Sequence, residues 1–235
     1  MFTEKADPSA EKLLSLGVLL DVDGTLVDSV YLHTIAWSRA FRRHAVEVPA
    51  WTIHRHIGMG GDHLVDAVAG AEVERGLGAA IRESRRDAFQ EVIEEVRPIP
   101  GALRLLRALQ EAGMRVSLAT SAEPDEMDHY RMLLGGDDLV GRVTDSSDVD
   151  RTKPDPDLID RALETIGGHP AVMVGDSTWD CVSAERAGVP TIGVLTGGFS
   201  RDELLDAGAE AVAEDLDELQ RMLEARHLSG LAGRR

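Results

Sequence analysis

Four short apolar runs, Gly17 to Val22, Met114 to Ala119, Ala171 to Val174 and Thr191 to Leu195, constrain most tightly what this 235-residue chain can fold into. Each is near-continuous rather than alternating in hydrophobicity, the pattern of strands covered by helices on both faces of a parallel sheet. Between the runs the periodicity is helical. Ala102, Leu105, Leu106 and Leu109 follow i, i+3, i+4, i+7 spacing, and Gly113 stands where a C-cap glycine belongs. The segments 155–167, 177–187 and 215–227 repeat the helical style. Strands alternating with helices predict an α/β fold with a doubly wound, mainly parallel sheet.

The alternation breaks between about Ser29 and Arg97, where helical periodicity continues without a convincing strand. The stretch closes on Arg97-Pro98-Ile99-Pro100, a stiff extended connector. Connections within compact α/β domains are usually short. Residues 29–97 therefore read as an inserted α-helical cap, and residues 1–28 and 98–235 as the α/β core. The last eight residues, Leu228 to Arg235, are small and basic and read as a frayed end.

Charge narrows the function classes. The 42 acidic residues outnumber the 25 basic ones, a formal net charge of -17. Such a surface repels nucleic acid and anionic membranes, which bind through Lys and Arg. A small phosphorylated partner then needs a site carrying its own local positive charge. The single Cys181 leaves no internal disulfide framework, fits a reducing compartment, and reads as a buried small side chain. The N-terminus carries Glu4, Asp7 and Glu11 and lacks the apolar run of a signal peptide. No stretch approaches the roughly 18 apolar residues of a membrane span. The expectation is a cytoplasmic protein, and nothing in the sequence specifies its oligomeric state.

The residues that carry chemistry follow the apolar runs. Leu20-Asp21-Val22-Asp23-Gly24-Thr25 ends the first run in two carboxylates and a glycine turn. In open α/β sheets ligands bind outside the carboxyl ends of the strands. Residues two apart in a regular strand share a face, so Asp21 and Asp23 could address one ligand. Close carboxylates repel unless one takes up a proton, and a hard divalent ion held by oxygens resolves that conflict. Three further segments repeat the placement: Thr120-Ser121 after the second run, Thr152-Lys153-Pro154, and Gly175-Asp176-Ser177-Thr178-Trp179-Asp180 after the third. Singly each has a bland reading. Thr120 or Asp176 could cap a helix, and Lys153 could be a surface charge.

Together and in this order, the four segments resemble the haloacid dehalogenase superfamily, in its phosphatase-like branch with a helical cap, the group that includes phosphoglycolate phosphatases and β-phosphoglucomutase. The resemblance runs from Leu19 to about Leu195. It implies a Rossmannoid core and magnesium as cofactor. It implies Asp21 as nucleophile, Asp23 as general acid and base, and Thr120 and Lys153 as contacts to the transferring phosphoryl group. It also implies a metal site drawn from Asp21, Asp23, Asp176 and Asp180, with Asp176 a direct ligand and Asp180 beside or behind it. Members that cleave carbon–halogen bonds lack the second Asp, so Asp23 points to phosphorus chemistry. The implied function is hydrolysis of a small organic phosphate monoester, with a small phosphorylated metabolite as partner. A phosphotransferase similar to β-phosphoglucomutase and a catalytically idle phosphate-binding protein are the alternatives.

The helical segment holds the candidates for substrate contact. His33 and Trp37, four apart, share a helical face close to the nucleophile; Trp37 reads equally well as cap packing. Gly58-Met59-Gly60-Gly61 lacks a preceding strand and so is not a dinucleotide fingerprint. Gly61 stands where β-phosphoglucomutase carries an arginine for a second phosphate. The loop around Gly60 and Gly61 instead reads as a place where the cap approaches the mouth of the site. Ser121 is a further substrate candidate, and Gly197-Gly198 either borders the site or is a plain turn. His54, His56 and His63 have no Cys or Glu at ligand spacing and read as solvated loop residues.

Overall fold

The computed structural model describes residues 15–168 and 170–232. The N-terminal stretch bearing Glu4, Asp7 and Glu11 lies outside the described residues. The strands, in chain order, are β1 (Gly17–Leu20), β2 (Val27–Asp28), β3 (Arg97–Pro98), β4 (Arg115–Ala119), β5 (Arg142–Thr144), β6 (Ala171–Gly175), β7 (Thr191–Val194) and β8 (Ala209–Ala213). Six of them form one sheet in the order β5-β4-β1-β6-β7-β8. Every pairing in that sheet is parallel. The apolar runs are its centre.

Both faces of β1 are covered, which is why its sequence does not alternate. Val18 and Leu20 pack with Leu105, Leu109 and Leu219 on one side. Leu19 packs with Ala119, Ile159 and Met173 on the other. The helices Ala102–Glu111, Asp157–Ile166 and Thr178–Arg186 stand where the periodicity predicts them, with ends shifted by one or two residues. Two strands of this sheet are additions. β5 and β8 lie at the sheet edges, where one flank meets solvent, and their short half-polar sequences carry no continuous apolar run. The last helix runs Leu216–Ala232, so residues 228–232 are helical rather than frayed, while 233–235 lie outside the described residues.

The helices Val30–Arg43, Ala50–His54, Gly61–Ala69 and Ala71–Gln90 fill the segment between β2 and β3. They bury an apolar cluster of their own that includes Trp37, Phe41, Ile53, Leu64 and Ile81. Ala36, Ala88 and Phe89 instead join the main core, which seats these helices over the sheet. The Arg97-Pro98 connector does more than extend. It pairs antiparallel with Val27-Asp28, so entry to and exit from the helical segment are tied together. Among the described residues no helix is long and apolar enough to cross a membrane.

Candidate active site

The strand order reverses at β1, because the chain adds β4 and β5 on one flank and β6, β7 and β8 on the other. Side chains leaving the carboxyl ends of β1, β4 and β6 therefore converge on one crevice. Asp21 follows β1, Thr120 follows β4, and Asp176 follows β6. Lys153 arrives from the loop before the helix Asp157–Ile166 and is fully buried.

Lys153 is the hub. Its Nζ donates to Asp21 Oδ1 at 2.5 Å and to Asp180 Oδ1 at 2.7 Å. Carboxylate oxygens of Asp21, Asp176 and Asp180, all buried, lie within 4.8 Å of one another. Burial pushes the Asp21 carboxyl up to about 8, with Lys153 pulling it down and Asp180 and Asp23 adding repulsion. Burial, then Asp180 and Asp21, likewise drive Asp176 well above the usual carboxylate range. One lysine cannot neutralise three buried acids. An oxygen-only donor set with excess negative charge fits a hard divalent metal ion. Asp180 is the most committed of the three: its Oδ2 accepts from Ser177 Oγ at 2.6 Å and Ser177 N–H at 3.1 Å, closing a capping box on the helix Thr178–Arg186. The helix cap is thus Ser177 rather than Asp176. Asp176 Oδ1 accepts from Thr25 Oγ1 at 2.8 Å.

Asp23 stands outside that group of acids, unlike the expectation of a shared strand face. β1 ends at Leu20, and residues 21–27 fold into a tight loop in which Thr25, Leu26 and Val27 all donate to Val22 O. Gly24 makes the loop possible. Its φ is +76°, and a Cβ there would overlap the Asp176 carboxylate. The loop turns Asp23 towards the helical segment, where its Oδ1 accepts from Ser29 Oγ at 2.5 Å, His33 Nε2 at 2.8 Å and Tyr130 hydroxyl at 2.9 Å. Burial alone would raise its pKa; His33, Ser29 and Tyr130 outweigh that and hold it below the usual carboxylate range. Arg85 Nη2 lies 2.8 Å from His33 Nδ1. An arginine can only donate, so Nδ1 accepts and Nε2 carries the hydrogen facing Asp23. Arg85 is itself anchored by an ion pair to Glu126, which is fully buried.

A cavity of about 310 Å³ opens between the helical segment and the sheet, with Asp21, Asp23, His33, Trp37 and Ser121 in its wall. Trp37 combines both readings open to it, stacking on Phe41 at 5.8 Å between ring centroids while facing the cavity. Thr120 is buried and accepts the Ala122 N–H at 3.0 Å. Gly61 lines the cavity, whereas Gly60 is a point of contact: its N–H donates to Lys153 O at 3.0 Å. Asp62 bonds both the hydroxyl and the N–H of Thr152. The three histidines are half-buried rather than solvated. His54 reaches Gly197 O at 3.1 Å, His56 bonds Thr52 O at 2.8 Å, and His63 lies 3.2 Å from Asp155. Gly197 presses against Asp176 and so borders the site.

A Cβ at Gly60 would overlap Thr152 Oγ1 although the backbone there suits any residue. Gly60→Ala is expected to destabilise by about 1–3 kcal/mol through overpacking. Gly76 lies exposed inside the helix Ala71–Gln90 with open space around it, so Gly76→Ala should stabilise by about 0.5–1 kcal/mol. Urea unfolding of the two variants checks the opposite signs.

The family model for haloacid dehalogenase-like hydrolases matches residues 16–188, which span all four motif segments. The chain belongs to that family. A curated relative from Rhodospirillum rubrum, named as a phosphoglycolate phosphatase, is 31% identical, with 86% of this chain and 88% of the relative covered. Another from Streptomyces hygroscopicus subsp. limoneus, named as a validoxylamine A 7'-phosphate phosphatase, is 28% identical over 86% of this chain and 94% of the relative. A solved hydrolase from Pseudomonas syringae is 31% identical with a TM-score of 0.85, covering 89% of this chain and 98% of that one. These likenesses establish the Rossmannoid fold of the haloacid dehalogenase-like hydrolases and the phosphatase branch, and with it an enzyme of the phosphoric monoester hydrolase type.

Several site residues of this haloacid dehalogenase-like hydrolase went unsignalled in the motif reading. Arg82, Arg85 and Arg86 line the cavity from the helix Ala71–Gln90, each facing a carboxylate. Their i, i+3, i+4 spacing is a legible signal, because it puts three cations on one helical face. Tyr130 and Glu126 had none: nothing in a single helical stretch says that it faces a residue more than 100 positions away.

Proposed function

We propose that the chain is a magnesium-dependent phosphatase that hydrolyses a small organic phosphate monoester through an aspartyl-phosphate on Asp21. The observation that carries this reading is the buried Asp21, held by Lys153 and within ion-sharing distance of Asp176, in the wall of a cavity that also presents Asp23. An Asp21 carboxylate oxygen attacks phosphorus in line. The bond to the leaving oxygen breaks and an acyl-phosphate bond forms; Asp23, ionised at rest, takes up a proton from solvent when the phosphoryl anion enters beside it and gives that proton to the departing alcohol. Water then attacks the same phosphorus while Asp23 takes its proton, releasing inorganic phosphate and restoring Asp21. His33, with its Nε2 hydrogen on Asp23, holds that carboxyl in position and is fixed in turn by Arg85.

Asp21 and Asp176 would hold the magnesium ion, with Asp180 fixed behind them by Lys153 and Ser177. Bound there, the ion supplies Lewis-acid neutralisation of charge on the phosphoryl oxygens. Lys153 adds a fixed positive charge, and Thr120, whose oxygen already accepts from Ala122, keeps its hydroxyl hydrogen for a phosphoryl oxygen. Residues 29–97 act as a cap on a core of residues 1–28 and 98–235, excluding water until the ester is seated. The names of the relatives support a small phosphorylated metabolite as substrate. Gly61, with no side chain to grip a second phosphate, favours hydrolysis over a mutase cycle.

Stripping divalent metal should lower phosphate release from a panel of small phosphate esters by about a hundredfold or more, since the ion's charge stabilisation is worth several kcal/mol. Added magnesium should restore it. Full activity in the presence of a chelator would end the metal-dependent reading.

A further inference from the structure

We infer that the cavity is charged to accept one anionic group only, the phosphoryl group, so that the alcohol it is attached to is neutral or cationic and rich in hydroxyls. This rests on the phosphatase reading above and narrows it to a substrate class.

The inference comes from pairing the charges in the cavity wall. Among the described residues, its lysine and arginine side chains are Arg82, Arg85 and Arg86. Arg82 is spent on Glu74, in a two-pronged pair at 2.8 and 2.9 Å, and on Gly61 O at 3.2 Å. Arg85 is spent on the fully buried Glu126 and on His33. Arg86 faces Glu123 at 3.5 Å. Lys153, behind the wall, is shared between Asp21 and Asp180. Each cation therefore already has a carboxylate partner.

The acids are not used up in the same way. Asp62 lines the cavity with its carboxylate held by Thr152 and 3.3 Å from His63 Nε2, with no arginine or lysine against it, and Asp150 lines it as an exposed side chain. With Glu74 and Glu126 just behind the wall counted beside the arginines they neutralise, Asp62 and Asp150 are left over, so the surroundings beyond the phosphoryl position are net negative. A carboxylate or a second phosphate on the leaving group would meet like charge in a partly enclosed space, which costs several kcal/mol per close pair. A hydroxyl meets acceptors on these acids and a buried donor at Ser121, whose Oγ has no hydrogen-bond partner. An ammonium meets attraction. The volume of about 310 Å³ sits at the small end of ligand pockets and suits a single sugar or amino alcohol.

The test is phosphate release, with magnesium, from glucose 6-phosphate, glucosamine 6-phosphate, phosphoglycolate, fructose 1,6-bisphosphate and p-nitrophenyl phosphate. We expect kcat/KM for the two hexose monophosphates to exceed that for phosphoglycolate and the bisphosphate by at least about tenfold. Asp150→Lys, a change at an exposed position, should raise kcat/KM for phosphoglycolate by about tenfold and lower that for glucosamine 6-phosphate. Equal or preferred cleavage of phosphoglycolate or the bisphosphate overturns the charge assignment and leaves the phosphatase reading standing. So does an Asp150→Lys variant with an unchanged substrate ranking. Release from none of the five esters overturns both.

Discussion

Asp21→Asn is expected to lower phosphate release by at least about a thousandfold, the scale reached when a catalytic nucleophile is removed. The substitution keeps the shape of the side chain and takes away the charge that attacks phosphorus. It also removes one of the buried acids that repel Asp176 and Asp180, so the fold should not suffer. Acid quenching during turnover should trap phosphate on the native chain and none on the variant. The same variant should still bind inorganic phosphate, because Lys153 and the rest of the cavity wall are untouched. Residual turnover within tenfold of the native chain would mean that water attacks the ester directly, and the aspartyl-phosphate route would have to be abandoned.

Lys153→Met removes the cation that links Asp21 to Asp180 with no exposure to solvent at its own side chain. Breaking a buried ion pair from one side leaves an uncompensated charge and costs about 3–5 kcal/mol. For a chain of this size that is a fall in Tm of roughly 6–20 °C. Phosphate release should fall with it, since the transferring group loses a fixed positive charge. The variant also separates two roles. If the three buried acids repel one another across the short distances between their oxygens, magnesium should restore more of the lost Tm in the variant than it adds to the native protein. A magnesium shift no larger in the variant than in the native chain would show that these acids do not share an ion.

The central strands were readable because both faces of β1, β4 and β6 are buried, so apolarity runs unbroken through Val18, Leu19 and Leu20. The edge strands β5 and β8 were not, because a strand with one flank in solvent needs no such run. The motif acids were readable for a related reason. A carboxylate directly after a buried strand has few bland explanations, and Asp21 and Asp176 each have that placement. Asp23 shows the limit. Two-residue spacing predicts a shared face only while the strand continues, and here it stops at Leu20.

Sequence alone thus determined the parallel core, the run of helices between about residues 29 and 97, and the acids and lysine that gather near the strand ends. These follow from local hydrophobic period and from residue type next to it. Tertiary structure alone decided that Asp23 answers to His33 and Tyr130 rather than to the other acids. It alone decided how the three cavity arginines are each spent on a carboxylate. The physical reason is the same in both cases. Electrostatic partnership depends on distances between elements far apart in the chain, and the pattern within one element records only which of its own faces is buried.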